Sequence, residues 1–87
     1  RNNITDDGMK AFAEVLSMAS NLMHLDLAWN EISDEGIKAF AHILSQGACK
    51  NLIDLDISMN FIAEEGVDTV SDAMPKLATW CKLLPQR

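Results

Sequence analysis

The sequence predicts an α/β fold in which strand–turn–helix units stack side by side, with parallel strands on one side and helices on the other. Residues 22–32 recur 30 positions later as residues 52–62, and both match the pattern L-x-x-L-x-L-x-x-N-x-I. A shorter copy at residues 2–4 matches the end of that pattern, and glycines follow in register at Gly8, Gly36 and Gly66. Because one such unit cannot bury its apolar side alone, neighbouring units are expected to share a continuous core.

Each predicted strand lies in the first part of the repeated pattern. Apolar residues alternate there with polar ones at a period of two, so Leu25, Leu27, Leu55 and Ile57 are predicted to enter the core. The residues between and beside them are predicted to face outward and to line a concave surface: His24, Asp26, Ala28, Asp54, Asp56 and Ser58. Asn30 and Asn60 follow where the chain turns, and their side-chain amides are predicted to pair with backbone groups within a unit and towards the next unit.

A helix is predicted after each turn. Apolar residues stand one, four and eight positions after each glycine, which is a helical spacing: Met9, Phe12 and Leu16; Ile37, Phe40 and Leu44; Val67, Val70 and Met74. Thr5 and Ser33 are predicted to cap the first two helices, with acidic residues just after them. Ala63 stands in place of a cap before the third helix, which is therefore expected to start less firmly.

These residues resemble the ribonuclease-inhibitor-like class of leucine-rich repeats, which combines this pattern with a downstream glycine, a full helix and a period of about 28 to 30 residues. The steps between the three glycines are 28 and 30 residues. The resemblance implies a right-handed solenoid, a segment of a horseshoe, with its strands on the concave side and its helices on the convex side. Such proteins bind very different partners, so the fold names no target.

The whole chain is predicted to be one segment of such an array. It divides into a partial repeat at 1–21, repeats at 22–51 and 52–75, and a final piece at 76–87. That piece either opens another repeat or folds back over 76–84 as a closing amphipathic helix, and the chain is expected to belong to a longer array or a larger assembly. Cys49 and Cys81 are expected at matching places in successive repeats.

Composition and charge limit the classes of partner. The 87 residues carry 13 acidic and 7 basic side chains, a net charge of -6 that repels a nucleic-acid backbone and favours a protein partner with a basic surface. No apolar run approaches the roughly 18 residues of a membrane span. Only two cysteines occur, so we expect reduced thiols and a cytoplasmic location.

No residues assemble into a catalytic, cofactor or metal site. The two histidines lie 18 positions apart on different predicted elements, and neither cysteine is part of a C-x-x-C pair. No phosphate-binding loop or nucleophile grouping occurs either, so we expect a protein that is not an enzyme and needs no cofactor.

The predicted function is a protein-interaction module or scaffold that uses its concave face. The candidate partner-binding residues are His24, Asp26, Trp29, Asp54, Asp56 and Met59. The aspartates supply negative charge, although they equally suit an exposed sheet that must stay soluble. Trp29 and Met59 directly precede Asn30 and Asn60. Tryptophan is enriched at binding hot spots, although packing against a neighbouring repeat also explains a large apolar residue at this position. Alternative functions are a regulatory region of a GTPase-activating or immune-sensor protein and a structural spacer in a cytoskeletal or ciliary assembly.

Overall fold

A computed structural model of the chain describes residues 3–18, 21–73 and 81–87. Helices and strands alternate along it: α1 (Asp6–Leu16), β1 (His24–Asp26), α2 (Asp34–Ser45), β2 (Asp54–Asp56), α3 (Glu64–Ala73) and β3 (Cys81–Lys82). The strands form a parallel sheet in the order β1-β2-β3, and α2 packs between α1 and α3. This mixed arrangement with a parallel sheet fits a segment of the predicted repeat fold.

The core lies between the sheet and the helices. Leu27, Leu55 and Ile57 are buried there, as the alternation of apolar and polar residues predicts. Leu25 is only half-buried, because β1 pairs on one side only among the described strands. The helices contribute the apolar residues that follow the glycines, apart from Met74, which lies outside the described residues. Phe40 of α2 is the largest of the fully buried side chains that the structure describes.

The predicted pairing of the Asn30 and Asn60 side chains with backbone groups of neighbouring units is confirmed, and we call it the asparagine ladder. Asn30 Oδ1 accepts a hydrogen bond from the Ile4 amide at 3.1 Å, and Asn60 Oδ1 accepts one from the Ile32 amide at 3.1 Å. The Asn60 amide group donates in turn to the carbonyls of Leu27, 2.9 Å away, and of its own turn. Each buried asparagine therefore joins its own turn to a neighbouring unit and pairs groups that would otherwise be costly to bury.

The first two helices begin differently from each other. Thr5 caps α1 as predicted, since its hydroxyl accepts a hydrogen bond from the Gly8 amide. The prediction for Ser33 is wrong, because its hydroxyl makes no capping hydrogen bond and donates to the Asp6 carboxylate instead. Asp6 Oδ1 itself accepts from the amides of Ser33 at 2.7 Å and Gly36 at 3.1 Å. A carboxylate from α1 thus caps α2.

The same arrangement recurs at α3. Asp34 of α2 accepts a hydrogen bond from the Ala63 amide at 2.8 Å, so the start of α3 does have a capping group although Ala63 has none to offer. The glycines make room for these carboxylates: a Cβ on Gly36 would lie 2.5 Å from Asp6 Oδ1, and one on Gly66 would meet Asp34. Each helix therefore holds the start of the next one.

The C-terminal residues add a third strand. Leu55 pairs with Cys81, and Asp56 pairs with Lys82. Cys81 thus occupies the strand position of Leu25 and Leu55, so the expectation that it matches Cys49 is wrong. The alternative prediction was a closing helix over 76–84. Its residues 76–80 lie outside the described residues, and Cys81–Lys82 form a strand instead of a helix. Within the described ranges, no helix is both long and apolar enough to cross a membrane.

Candidate functional site

The candidate site is the outward side of the sheet, which we call the strand face. It consists of two rows of side chains that run across the strands. His24 stands beside Asp54 in the first row, and Asp26 stands beside Asp56 and then Lys82 in the second. The backbones of neighbouring strands are about 5 Å apart, so the sheet holds the charged groups of the strand face at fixed spacings.

The first row contains an exposed pair formed by a histidine and an aspartate. His24 Nδ1 lies 3.3 Å from Asp54 Oδ2, and both side chains are more than half exposed. Water screens such a pair, so it contributes little to folding and leaves both groups accessible to a partner.

The aspartates of the second row hold the strand ends in shape. Asp26 Oδ1 accepts a hydrogen bond from the Ala28 amide at 2.9 Å, and Asp56 Oδ1 accepts one from the Ser58 amide at 3.0 Å. Both are contacts to a backbone two residues ahead, which is a common turn-forming use of aspartate. Asp26 remains exposed and Asp56 is half-buried. Each carboxylate therefore shapes a turn and also contributes charge to the face.

One predicted member of the strand face does not belong to it. Ser58 is buried, and its hydroxyl donates to Asp56 Oδ1 at 2.6 Å. The period-two pattern ends where the strand ends, at Asp56, so it no longer places Ser58 outward. Ala28, at the same position of the preceding unit, is half-buried.

Trp29 and Met59 lie at the end of the strand face where the chain turns. Both have a left-handed backbone, with φ of 61° and 57°, a conformation that costs a residue with a side chain about 1 kcal/mol or more. Their amides nevertheless continue the cross-strand hydrogen bonding, Trp29 to the Ser58 carbonyl at 3.1 Å and Met59 to the Pro85 carbonyl at 2.7 Å. Trp29 is 42% exposed as a residue, whereas Met59 is half-buried.

Three side chains near these turns were missed in the sequence. Lys82 extends the second row and brings a positive charge to it. The Arg87 guanidinium lies over the Phe61 ring, 4.3 Å from its centroid, and donates to the Asn30 carbonyl. Phe61 is 49% exposed. The signal for Lys82 and Arg87 was weak because the last strand follows the previous one after 26 residues, from Leu55 to Cys81, instead of 30.

Histidine, cysteine and acidic side chains are not clustered as metal ligands on the described part of the chain. No group of three or more histidine, cysteine or acidic side chains there could hold a metal ion. Cys49 is a buried free thiol whose Sγ donates to the Leu16 carbonyl at 3.5 Å, and burial raises the pKa of this thiol. Cys49 packs in the core, and the side chain of Cys81 lies outside the described residues.

Comparison with known proteins finds one repeat family that matches part of the chain. A family model described as "Leucine Rich repeat" matches residues 1–13 and 19–41, which contain most of α1, all of β1 and the first part of α2. No curated protein matches the chain. With its parallel sheet, its helices and its asparagine ladder, the match supports a leucine-rich-repeat protein.

Proposed function

We propose that this chain is a protein-interaction module that binds its partner on the strand face. Leucine-rich repeats generally mediate protein–protein interactions, and the observation that carries the proposal is the ordered row of Asp26 beside Asp56, with the exposed Trp29 ring at the end of the same strand. Charged groups in fixed register give directional attraction, and an aromatic ring gives an apolar anchor.

The proposed partner has a basic surface. Asp26, Asp54 and Asp56 lie on β1 and β2, so the negative charge of the strand face is concentrated there. Lys82 lies beside Asp56 on β3, so the sign changes across the face. A partner with basic groups over β1 and β2 and an acidic or polar group over β3 would match this sequence of charges, and a partner with the reverse order would be disfavoured.

Trp29 is the proposed centre of the contact. A tryptophan side chain loses few rotamers on binding and can remove a large apolar area from water, so it is a frequent hot spot. The hydrogen bonds of its turn hold its backbone in place before binding, since its amide pairs with Ser58 and Asp26 accepts from Ala28. This reduces the ordering that binding would otherwise cost. Met59 and His24 extend the contact on either side.

We also propose the handedness of the solenoid, the class of the repeats, the scaffold role and the cellular location. The stacked units and the right-handed preference of parallel strand–helix–strand connections support a right-handed solenoid, and the glycine steps of 28 and 30 residues support the ribonuclease-inhibitor-like class. We propose binding as a scaffold without catalysis. A cytoplasmic location is proposed as well, since structural disulfides belong to oxidising compartments and Cys49 is a free thiol.

The test is affinity capture with matched variants, followed by mass spectrometry. The strand-face variant is Asp54→Lys, and the control is His42→Ala, which changes an exposed residue of α2 on the helix side. A genuine partner should be retained by the wild-type chain and by the control, should be lost by Asp54→Lys, and should bind the purified chain directly. If partners confirmed by direct binding are retained by Asp54→Lys and lost by His42→Ala, the binding site lies on the helix side and the proposal is wrong.

A further inference from the structure

Two further rows of side chains follow the charged rows of the strand face. Ala28 and Ser58 form the first of them, and Trp29 and Met59 form the second, because these residues hold equivalent positions 30 apart in the two units. The Trp29 amide donates to the Ser58 carbonyl at 3.1 Å and so ties the two units together here. A row of small residues therefore separates the second charged row from a row of large apolar side chains.

The row of small residues lies lower than the rows on either side. Asp26 and Trp29 are exposed, whereas Ala28 between them is half-buried and Ser58 is buried. We call this shallow depression across β1 and β2 the trough. The equivalent residue after β3 is Leu84, which is exposed, so the floor of the trough rises there and becomes apolar.

The carboxylates beside the trough each keep one oxygen for a partner. Asp26 Oδ1 accepts from the Ala28 amide, and Asp56 Oδ1 accepts from the amide and the hydroxyl of Ser58. No described residue donates a hydrogen bond to Oδ2 of either carboxylate. A lysine or arginine of a partner can therefore bind these oxygens without breaking the turns.

The spacing of the strands matches a helix that crosses them. Neighbouring strands are about 4.8 Å apart, and one turn of an α-helix advances about 5.4 Å. One side chain per turn can therefore meet each strand, with a mismatch of about 1 Å over three strands. An extended segment places side chains on one face only every 6.7 Å or so, about 2 Å out of step at each strand.

The width of the trough favours a helix as well. Trp29 follows Asp26 by three residues, which span at most about 10 Å along the chain. A helix with its side chains is about 10 to 12 Å across, so one helix covers the acidic side and the apolar side together. A single extended segment is only about 5 Å wide in the plane of a sheet and would cover one side.

We propose that the strand face binds an amphipathic α-helix that lies across the strands in the trough. Lysine or arginine side chains along one flank of this helix pair with Asp26 and Asp56, and apolar side chains along the other flank pack on Trp29 and Met59. Lys82 follows Asp56 in its row, so the basic flank ends in an acidic or polar residue over β3. This rests on the proposed function, because it names the kind of partner that the strand face binds.

Two synthetic peptides of about 18 residues test the shape of the partner. Both contain the same lysines, leucines and alanines. In the first, lysines and leucines recur every three or four residues along two flanks of a helix, and in the second they alternate at a period of two. Equal charge gives both the same general attraction to this acidic chain. Fluorescence anisotropy at low salt should show about ten-fold tighter binding of the first peptide, and circular dichroism should show that it is helical when bound.

Variants of the complete chain test where the helical peptide binds. The aspartate variant, Asp26→Asn with Asp56→Asn, keeps the oxygens that shape the turns and should weaken binding about five-fold, whereas Trp29→Ala should weaken it about ten-fold. The matched control is Glu14→Gln with Asp72→Asn, which removes the same charge from exposed positions on the helices and should change binding little. Thermal unfolding establishes that every variant is folded.

The possible outcomes distinguish this proposal from the proposed function. Equal affinity of the two peptides, with both weakened by the aspartate variant, would overturn the helix and leave the strand face as a binding surface. A bound peptide that is not helical, or a control variant as weak as the aspartate variant, would also overturn the proposal. So would an absence of binding by the helical peptide, and the proposed function would then be decided by affinity capture with Asp54→Lys alone.

Discussion

Gln86 Oε1 accepts a hydrogen bond from the backbone amide of Asn60 at 2.9 Å. The Gln86 side chain thus continues the asparagine ladder that Asn30 and Asn60 begin. The same oxygen accepts from the Ile62 amide at 3.2 Å, and the Gln86 amide group donates to the carbonyls of Ile57 and Leu83. A glutamine thus does after β3 what asparagine does after β1 and β2, because the backbone N–H and C=O groups there need an acceptor and a donor on one planar side-chain amide.

Replacing Asn60 with leucine should lower the free energy of unfolding by about 1 to 3 kcal/mol, because buried backbone groups of two units lose their partners. Asp54→Asn is the control on the exposed face and should change stability by less than about 0.5 kcal/mol. Urea unfolding followed by circular dichroism measures both. If the order of the two effects were reversed, the inward and outward positions would be wrongly assigned.

The glycines of the helix starts should tolerate alanine unequally. Gly36→Ala would place a Cβ 2.5 Å from Asp6 Oδ1, so the carboxylate must move and the cap of α2 weakens; we expect a loss of about 2 kcal/mol. Gly8→Ala would meet Ile4 at an ordinary 3.5 Å and should be neutral or stabilise by up to about 1 kcal/mol, since alanine favours a helix. Equal effects of the two substitutions on thermal unfolding would argue against the carboxylate cap.

The contribution of Asp6 should disappear in acid. Although burial opposes the charged form, hydrogen bonds from Ser33 and Gly36 and the nearby Lys10 charge hold the pKa of Asp6 below its usual value of 3.8. A pKa that is lower in the folded chain stabilises it above the unfolded-state pKa, and this contribution is lost as the pH falls through the folded-state value.

Asp6→Asn keeps one acceptor oxygen and loses the charge, so it should be less stable than the wild type by about 1 to 2 kcal/mol at neutral pH. The difference in free energy of unfolding between the two chains should then shrink as the pH falls below about 4. Urea titrations across this range measure it. A difference that stayed constant with pH would show that the Asp6 charge does not contribute.

The strand-face aspartates should affect the rate of association more than the rate of dissociation. The double variant Asp26→Asn with Asp56→Asn retains the side-chain oxygens that accept from Ala28 and Ser58, so the turns should persist while the charge is removed. Surface plasmon resonance with the identified partner should show slower association and a weaker dependence on salt. Unchanged association at both low and high salt would remove these aspartates from the binding site.

The sequence predicted the interior of this protein better than the contacts between its units. Leu27, Leu55 and the ladder asparagines could be placed because burial follows a local period, which is visible in a single unit. The cap that Asp6 provides for α2 joins residues 27 and 30 positions apart, and no local pattern indicates it. The position of Ser33 alone therefore predicts a capping role that Asp6 in fact fills.

The candidate site could be predicted in outline only. His24, Asp26 and Asp54 are exposed on the sheet as the alternation predicts, but the burial of Ser58 depends on where the strand stops. The left-handed backbone at Trp29 depends on the turn that follows, which the repeated pattern marks without describing its geometry. Lys82 was missed because a shorter unit shifts the register of the last strand.

Trp29→Ala tests the proposed binding surface most directly. Alanine and tryptophan share a Cβ, so the cost of the left-handed backbone stays similar while the ring of this exposed residue is removed. Surface plasmon resonance with the identified partner measures the dissociation rate of each variant. Unfolding transitions of the same variants establish that they are folded. We expect dissociation to be about ten-fold faster for Trp29→Ala and unchanged for His42→Ala. An unchanged dissociation rate for Trp29→Ala, with loss of binding for His42→Ala, would contradict the proposed binding surface.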